Sequence, residues 1–530
     1  MSPPIRDDGN DFEQSGYAHP RFREEPSMPA APQLYVPSAS RVPTNVDSDR
    51  WTRPEFASSP DSEPSRRREN RAMRIVGAAS LGALVAMAII FAKPLWQGAP
   101  ALLSADSQTA SRSSDRLTAN NPPASNALVP AATIPATPGA EPSASASLSP
   151  GPQEPQSAVR GVTASEIRFG ISAAFSGPTK ELGQNMHRGI EAAFRVANAN
   201  GGVHGRQLRL IAADDGYEPA RATETMKRLY EKDQVFGVVG NVGTPTAVVA
   251  LPYALERKML FFGAFTGAGL LRNDPPDRYV FNYRASYAEE TAATVYYLVK
   301  VRKLKPEQIA VFAQQDAYGD AGFAGVAKAM RSLGANDGAI LRLNYQRNTI
   351  DVDEAVEQLR KNRIPIRAVI MVPTYRAAAK FIEKTRDVFP ELIYTSVSFV
   401  GSTALANELM LLGKRFANGV IVTQVVPAVD GHSSLALDYK TALAKYFPGE
   451  APDYVSLEGY VAANVLISAL KRNGPELDTE KLVQTLENLQ NLDIGLGTPV
   501  SFGRSEHQAI HKVWGTQLDE TGHYQAIELQ

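Results

Sequence analysis

The chain has 530 residues, a formal net charge of −1 and no cysteine. The near-neutral balance leaves no electrostatic footprint for nucleic acid, and no basic stripe interleaved with aromatics occurs. The missing cysteine excludes disulfides, thiolate zinc sites, a cysteine nucleophile and an acylated N-terminal anchor.

Residues 1–73 are polar and proline-rich, the composition of a disordered cytoplasmic tail. The tail leads into a basic cluster, Arg66, Arg67, Arg68, Arg71 and Arg74, followed by the uncharged run IVGAASLGALVAMAIIFA at 75–92. As a helix that run spans ~27 Å, close to the ~30 Å hydrocarbon core. Lys93, Pro94 and Trp96 then supply a cation, a helix breaker and an interfacial aromatic. The pattern predicts one uncleaved transmembrane helix within 74–97. Arginines on its N-terminal side place the N-terminus in the cytoplasm and all later residues outside the inner membrane. A cleaved signal peptide fits less well, because a long polar stretch precedes the apolar run. Residues 98–160 have the Pro/Ala/Ser composition of a semi-extended linker.

From 165 onward, strands alternate with helices. Ile167, Phe169 and Ile171 alternate with Arg168 and Gly170, and Met186, Ile190, Phe194 and Ala197 follow at helical spacing. QLRLIAADD, VFGVVGNV and MLFFGAFT are the next strands, separated by helices at 218–232 and 244–257. QIAVFAQQD, AILRLNYQ, AVIMVPT, IYTSVSF and GVIVTQVV form a second series. Two runs of this kind predict two parallel α/β lobes, with ligand chemistry beyond the carboxyl ends of the strands.

At those ends, Thr244 and Pro245 have the residue types of a helix cap and first turn, whose free N–H groups suit an anion. Ala264, Phe265 and Thr266 end the neighbouring strand with a hydroxyl beside glycine. Tyr375 follows AVIMVPT and Phe399 follows IYTSVS, so both aromatics could close over a ligand from the second lobe. The Asp214-Asp215-Gly216 turn reads as a strand end capping the next helix. No G-x-S-x-G elbow, Walker loop or H-E-x-x-H helix occurs. His507 and His511 lie among terminal strands, too far apart for a shared metal. Neither an enzyme nor a cofactor is expected.

The stretches SGPTKELGQNMHRGIEAAF, NANGGVHGRQLRLIAADDGYEP, GNVGTPT, FFGAFTGA, QQDAYGDAG and VSFVGS carry a resemblance across 160–525. In order and spacing the chain resembles the type I periplasmic binding proteins, most of all the branched-chain amino-acid (Leu/Ile/Val) and amide receptors. The resemblance implies two doubly wound, Rossmann-like lobes joined by a three-strand hinge. It divides the chain into lobe 1 at 161–284 and 424–499, and lobe 2 at 285–423 and 500–530. Crossings are expected near Arg284–Tyr287, Thr423–Pro427 and Val500–Gly503. It also implies that Thr244, Ala264 and Thr266 bind a ligand carboxylate, and that Tyr375 and Tyr318 close on the ligand. The acid that pairs a ligand ammonium in the amino-acid receptors has no counterpart in Thr395–Val400, and an unpaired buried ammonium is costly. Carboxylates, amides and aromatic acids remain open as ligands. The function implied is a membrane-tethered solute receptor serving an ABC-type permease and ATPase. The alternatives are a membrane-anchored sensor signalling through a partner, and a scaffold that has lost ligand binding.

Overall fold

The computed structural model describes residues 159–529, which fall within one compact unit, Pro138–Gln530. The tail, the apolar run at 75–92 and the linker up to 158 lie outside the described residues. Among the described residues no helix is long and apolar enough to cross a membrane.

Among the described residues, twelve strands build two sheets. In the first, β1 (Glu166–Ala173), β2 (Gln207–Asp214), β3 (Gly237–Val239), β4 (Leu260–Phe262) and β5 (Val280–Phe281) lie parallel in the order β2-β1-β3-β4-β5. In the second, the strands are β6 (Ile309–Gln314), β7 (Arg342–Tyr345), β8 (Ala368–Val372), β9 (Ile393–Ser396), β10 (Ile421–Gln424), β11 (Trp514–Leu518) and β12 (Tyr524–Ile527). Their order is β12-β11-β10-β9-β8-β6-β7, parallel except for the β11–β12 hairpin on the β10 edge. Reading from the β7 edge, the parallel part repeats the order of the first sheet. Such a sheet reverses its winding between its first and third strands, and ligands collect beyond that point. Here those points lie between β1 and β3, and between β6 and β8.

The helices are α1 (Lys180–Ala199), α2 (Pro219–Glu231), α3 (Thr244–Glu256), α4 (Tyr287–Tyr296), α5 (Ala317–Ser332) and α6 (Asp353–Lys361). They continue as α7 (Tyr375–Arg386), α8 (Ser402–Leu412), α9 (Lys414–Ala417), α10 (Ser434–Tyr446), α11 (Tyr454–Asn473) and α12 (Thr479–Glu487). Side-chain alternation along the strands decides which helices cover which face. Val239, Phe262 and Phe281 join the core under α1 and α11, whereas Val238, Phe261 and Val280 join the core under α2 and α3.

The chain passes between sheets three times: from β5 to α4, from β10 to α10, and from residue 510 to β11. The segments hold one another. The Tyr283 hydroxyl donates to the Val425 carbonyl at 3.0 Å, and Ile510 N–H donates to the Tyr283 carbonyl at 3.2 Å. The last crossing lies past the expected Val500–Gly503, so residues 500–510 run beside the first sheet. The reason is local packing. Val500 bridges Leu492, Phe502 sets its ring against Phe262 and Phe281, and Gln508 bridges Asn282 beyond β5.

Glycines let helices touch the backbone of their neighbours at matching places in the two lobes. On α1, a Cβ on Gly183 would meet the Ala174 carbonyl and one on Gly189 the Ser456 carbonyl, at 2.0 and 1.8 Å. Gly319 and Gly325 recur at the same spacing on α5, meeting the Gln314 carbonyl and the Thr291 hydroxyl of α4. Gly189→Ala is therefore expected to prise α1 from α11 and cost about 1–3 kcal/mol. Gly503→Ala, with no atom within 4 Å of its added carbon, is expected to stay within about 0.5 kcal/mol. Urea or thermal unfolding of the two variants checks the contrast.

Candidate ligand-binding site

Both reversal points bring their loops to one buried cluster. From the first lobe, β3 runs into Gly243, whose φ of 106° turns the chain into α3. Gly243 is the cap residue and Thr244 the first helical one, so the Thr244 hydroxyl makes no capping bond. It meets the Thr266 hydroxyl beyond β4 at 2.7 Å instead, with both threonines fully buried. The Tyr287 hydroxyl at the start of α4 lies beside both threonines but completes no hydrogen bond of good geometry. Burial pushes its pKa up to about 12. Three hydroxyls thus converge at a helix start, where the N–H groups of the first turn have no intrahelical acceptor. Ala264 is buried at the same strand end, and its carbonyl accepts from Thr266 N–H at 2.9 Å.

Beside the hydroxyls is a box of aromatic rings. Phe399, fully buried on a short turn after β9, stacks on Phe265 with centroids 5.0 Å apart and planes 28° apart. Tyr318 lies 4.6 Å from Phe399, Tyr217 6.2 Å and Tyr287 6.3 Å. Tyr217 and Phe265 belong to the first lobe, Phe399 and Tyr318 to the second. Tyr217 is held at φ 62°, an unusual backbone for a bulky residue. Asp215 stabilises that turn by accepting Tyr217 N–H at 2.8 Å. The Asp214-Asp215-Gly216 turn therefore does not cap α2, whose cap residue is Glu218. Asp214 instead accepts from Phe175 and Ser176 in the loop beyond β1.

The remaining expected residue, Tyr375, stands apart. It is buried at the start of α7 and makes no ring contact with the box, and its hydroxyl faces Glu181 on α1. It lines a separate pocket of about 250 Å³ with Asn185, Arg188 and Asp453. His507 and His511 also part company. His507 stacks on Phe281 at 3.9 Å, while His511 meets Glu289 at 2.6 Å. Among the described residues no group of three candidate ligands could hold a metal.

Under the box is a buried ionic cluster that no single stretch of sequence announces. Arg284, on the first crossing, pairs with Glu290 of α4 at 3.0 Å and with Glu458 of α11 at 3.5 Å. It also donates to the Ser398 hydroxyl, and its guanidinium lies 5.0 Å over the Phe265 ring. Glu290 accepts the Ser398 N–H at 2.8 Å and the Thr423 hydroxyl at 2.5 Å. Burial opposes the Arg284 charge, but Glu458 and Glu290 outweigh it and hold its pKa above the ordinary value. Burial pushes Glu458 up to about 7, against the pull of Arg284 and Arg272, with Glu290 adding to the rise. Tyr217, Tyr287 and this cluster are the contributors that sequence reading missed. The available signals were the tyrosine of DDGYEP and a lone acid inside the apolar α11.

A carboxyl raised in the folded state contributes stability below its unfolded pKa and loses it as pH rises through the folded one. For Glu458 that window runs from the ordinary 4.5 to about 7. Relative to wild type, Glu458→Gln is therefore expected to gain stability as pH is raised from about 5 to about 8. Taking the difference cancels the other titrating groups. Paired thermal melts across that range check it, and a constant difference would contradict it.

A match to the family described as "Periplasmic binding protein" covers residues 166–523. "Leu/Ile/Val-binding protein homolog 3" of Brucella melitensis is 25% identical over 337 residues, spanning 63% of this chain and 86% of its own. The "Amino acid binding protein" of Pseudomonas aeruginosa is 24% identical over 340 residues, with the same two shares. Among solved structures, a possible leucine/isoleucine/valine-binding protein from Rhodopirellula baltica is 42% identical. It covers 71% of this chain and 98% of its own, with a TM-score of 0.66. A Thermus thermophilus branched-chain amino-acid transporter protein with bound valine shares the fold at 17% identity, TM-score 0.59, covering 68% of this chain and 96% of its own. The family match runs through both sheets, from β1 to β11. The chain belongs to the periplasmic binding protein family, in the type I branch of the Leu/Ile/Val receptors.

Proposed function

We propose that this protein captures a small carboxylate- or amide-bearing solute between its two lobes and delivers it to an ABC-type importer. We further propose that it works from the outer face of the inner membrane, tethered by residues 75–92. The observation that carries capture is the convergence of Thr244, Thr266 and Tyr287 beside rings contributed by both lobes. Hydroxyls and helix-start N–H groups bind an anion well, and closure removes water that would compete for it. The tether is supported by the arginine-flanked apolar run, which precedes the family match beginning at residue 166.

A second reading, a membrane-anchored sensor, is favoured by one feature. The polar tail at 1–73 lies ahead of the apolar run, and so on the opposite side of the membrane from the lobes in this arrangement. Closure would then report ligand to a partner engaging the tail. Deleting residues 1–65 separates the two readings, since uptake is expected to survive in an importer and signalling to fail in a sensor.

Losing two charge-assisted hydrogen bonds weakens binding by about a hundredfold or more. The Thr244→Ala/Thr266→Ala protein is expected to lose ligand-induced thermal stabilisation while keeping its own melting point within a few degrees. Retained affinity would remove both threonines from the site. Deleting residues 75–96 is expected to release the chain from carbonate-washed membranes, and continued retention would refute the tether.

A further inference from the structure

We infer that the solute is an aromatic carboxylate, whose ring inserts between Phe265 and Phe399 while its carboxylate rests on Thr244, Thr266 and Tyr287. This rests on capture between the lobes, and concerns what is captured.

Phe265 and Phe399 come from opposite lobes and stack face to face, 5.0 Å apart and 28° from parallel. When the lobes part, each presents an open ring face. A planar ring is the guest that keeps both faces covered on reclosure, through offset stacking that an aliphatic chain does not reproduce. Tyr318 and Tyr217 wall the sides. Their polar ends are already engaged: the Tyr318 hydroxyl donates to the Pro373 carbonyl at 3.3 Å, and the Tyr217 oxygen accepts from Gln314 at 3.2 Å. The walls are therefore aromatic surface with few free polar groups.

Polarity is confined to one end. The Tyr287 ring lies 6.3 Å from Phe399 and its hydroxyl stands beside Thr266 and Thr244, so the hydroxyl group borders the stacked rings at one end. There the buried Tyr287 hydroxyl has no well-formed hydrogen bond, and the thirteen-residue α3 begins. Arg284 lies over Phe265 with Nε making no hydrogen bond, while Nη1 is paired with Glu458 at 3.5 Å. The acids around the box are already engaged: Asp316 by Arg347, Gln314 and the Tyr318 N–H, and Asp215 by the Ser172 hydroxyl and the Tyr217 N–H. Glu290 is occupied by Arg284, Ser398 and Thr423, and Glu458 faces Arg284. No free carboxylate is left to neutralise an ammonium, whose uncompensated burial is prohibitive. An α-amino acid is thus rejected even when its side chain is aromatic.

The test is calorimetry and thermal melting of the full-length chain in detergent. The probes are benzoate, 4-hydroxybenzoate, phenylacetate, cyclohexanecarboxylate, L-phenylalanine, L-leucine and L-valine. At least one aromatic acid is expected to bind about tenfold tighter than cyclohexanecarboxylate and than any amino acid. Phe399→Leu, which keeps an apolar side chain but removes one ring face, is expected to lose that preference, bringing benzoate and cyclohexanecarboxylate to within about twofold of each other. Equal binding of benzoate and cyclohexanecarboxylate, or a preference surviving in Phe399→Leu, overturns the stacked ring. Tighter binding of leucine or valine than of every aromatic acid overturns the inference but leaves capture between the lobes standing. If no probe binds wild type, this inference falls; the capture reading falls with it only if amides and fatty acids also fail.

Discussion

Arg284 is fully buried at the point where the chain first leaves one sheet for the other. A guanidinium there is tolerable only if its charge is answered, because burying a lone ion costs several kcal/mol even after relaxation. The answers come from both directions. Glu290 belongs to the second lobe and Glu458 to α11 of the first, so one cation ties both lobes to the hinge. The cluster is not a simple source of stability, since a buried ion pair rarely outperforms apolar packing of the same volume. What it supplies is placement. Ser398 is held through its hydroxyl by Arg284 and through its N–H by Glu290, and that fixes the turn carrying Phe399. The ring facing the first lobe is positioned by charges that touch no solute.

The rest of the architecture makes that placement useful. Two sheets of the same winding order carry their strand-end loops toward each other, so the loops after β2 and β4 meet the loops after β7 and β9 through Tyr217, Glu218, Phe265, Arg347 and Phe399. Hinge motion about three short crossings changes the distance between these sets while leaving each lobe's packing intact. The close approaches at Gly189, to the Ser456 carbonyl, and at Gly325, to the Thr291 hydroxyl, leave little slack inside each lobe during such motion.

Much of this was legible in the sequence because it is local. Strand and helix order follows from alternation and helical periodicity, and Thr244, Phe265 and Thr266 stand where a strand-end rule looks for them. What was not legible depends on long-range partners. Glu458 is an ordinary acid until α11 crosses α1 and brings it to Arg284. Tyr217 enters the box because its backbone adopts a positive φ, which its residue type argues against. The third crossing was placed too early because Phe502 and His507 look like any terminal strand residues, yet they pack on Phe281 of the first sheet. Tyr375 follows its strand as expected, but at the start of α7 its hydroxyl faces Glu181 of α1 and its ring joins none of the stacked aromatic pairs around Phe399.

The contacts between the lobes also bear on how a solute can act. Arg347 and Asn348 of the second lobe grip Glu218 and the Gly216 carbonyl of the first, at 2.8, 2.7 and 3.1 Å. Gln314 reaches Tyr217, and Phe399 reaches Phe265. A ligand shifts an opening equilibrium only by its differential affinity for the two states. Here the closed state has attractions of its own, so under the proposed mode of capture a solute must return more than the Phe265–Phe399 stack it would separate. The partly exposed Arg347–Glu218 pair adds little to that barrier. In the proposed site, selectivity follows from the geometry of the rings. A guest that stacks on both faces recovers what it displaces, whereas an aliphatic guest recovers only part and leaves the lobes with less reason to close on it than on each other.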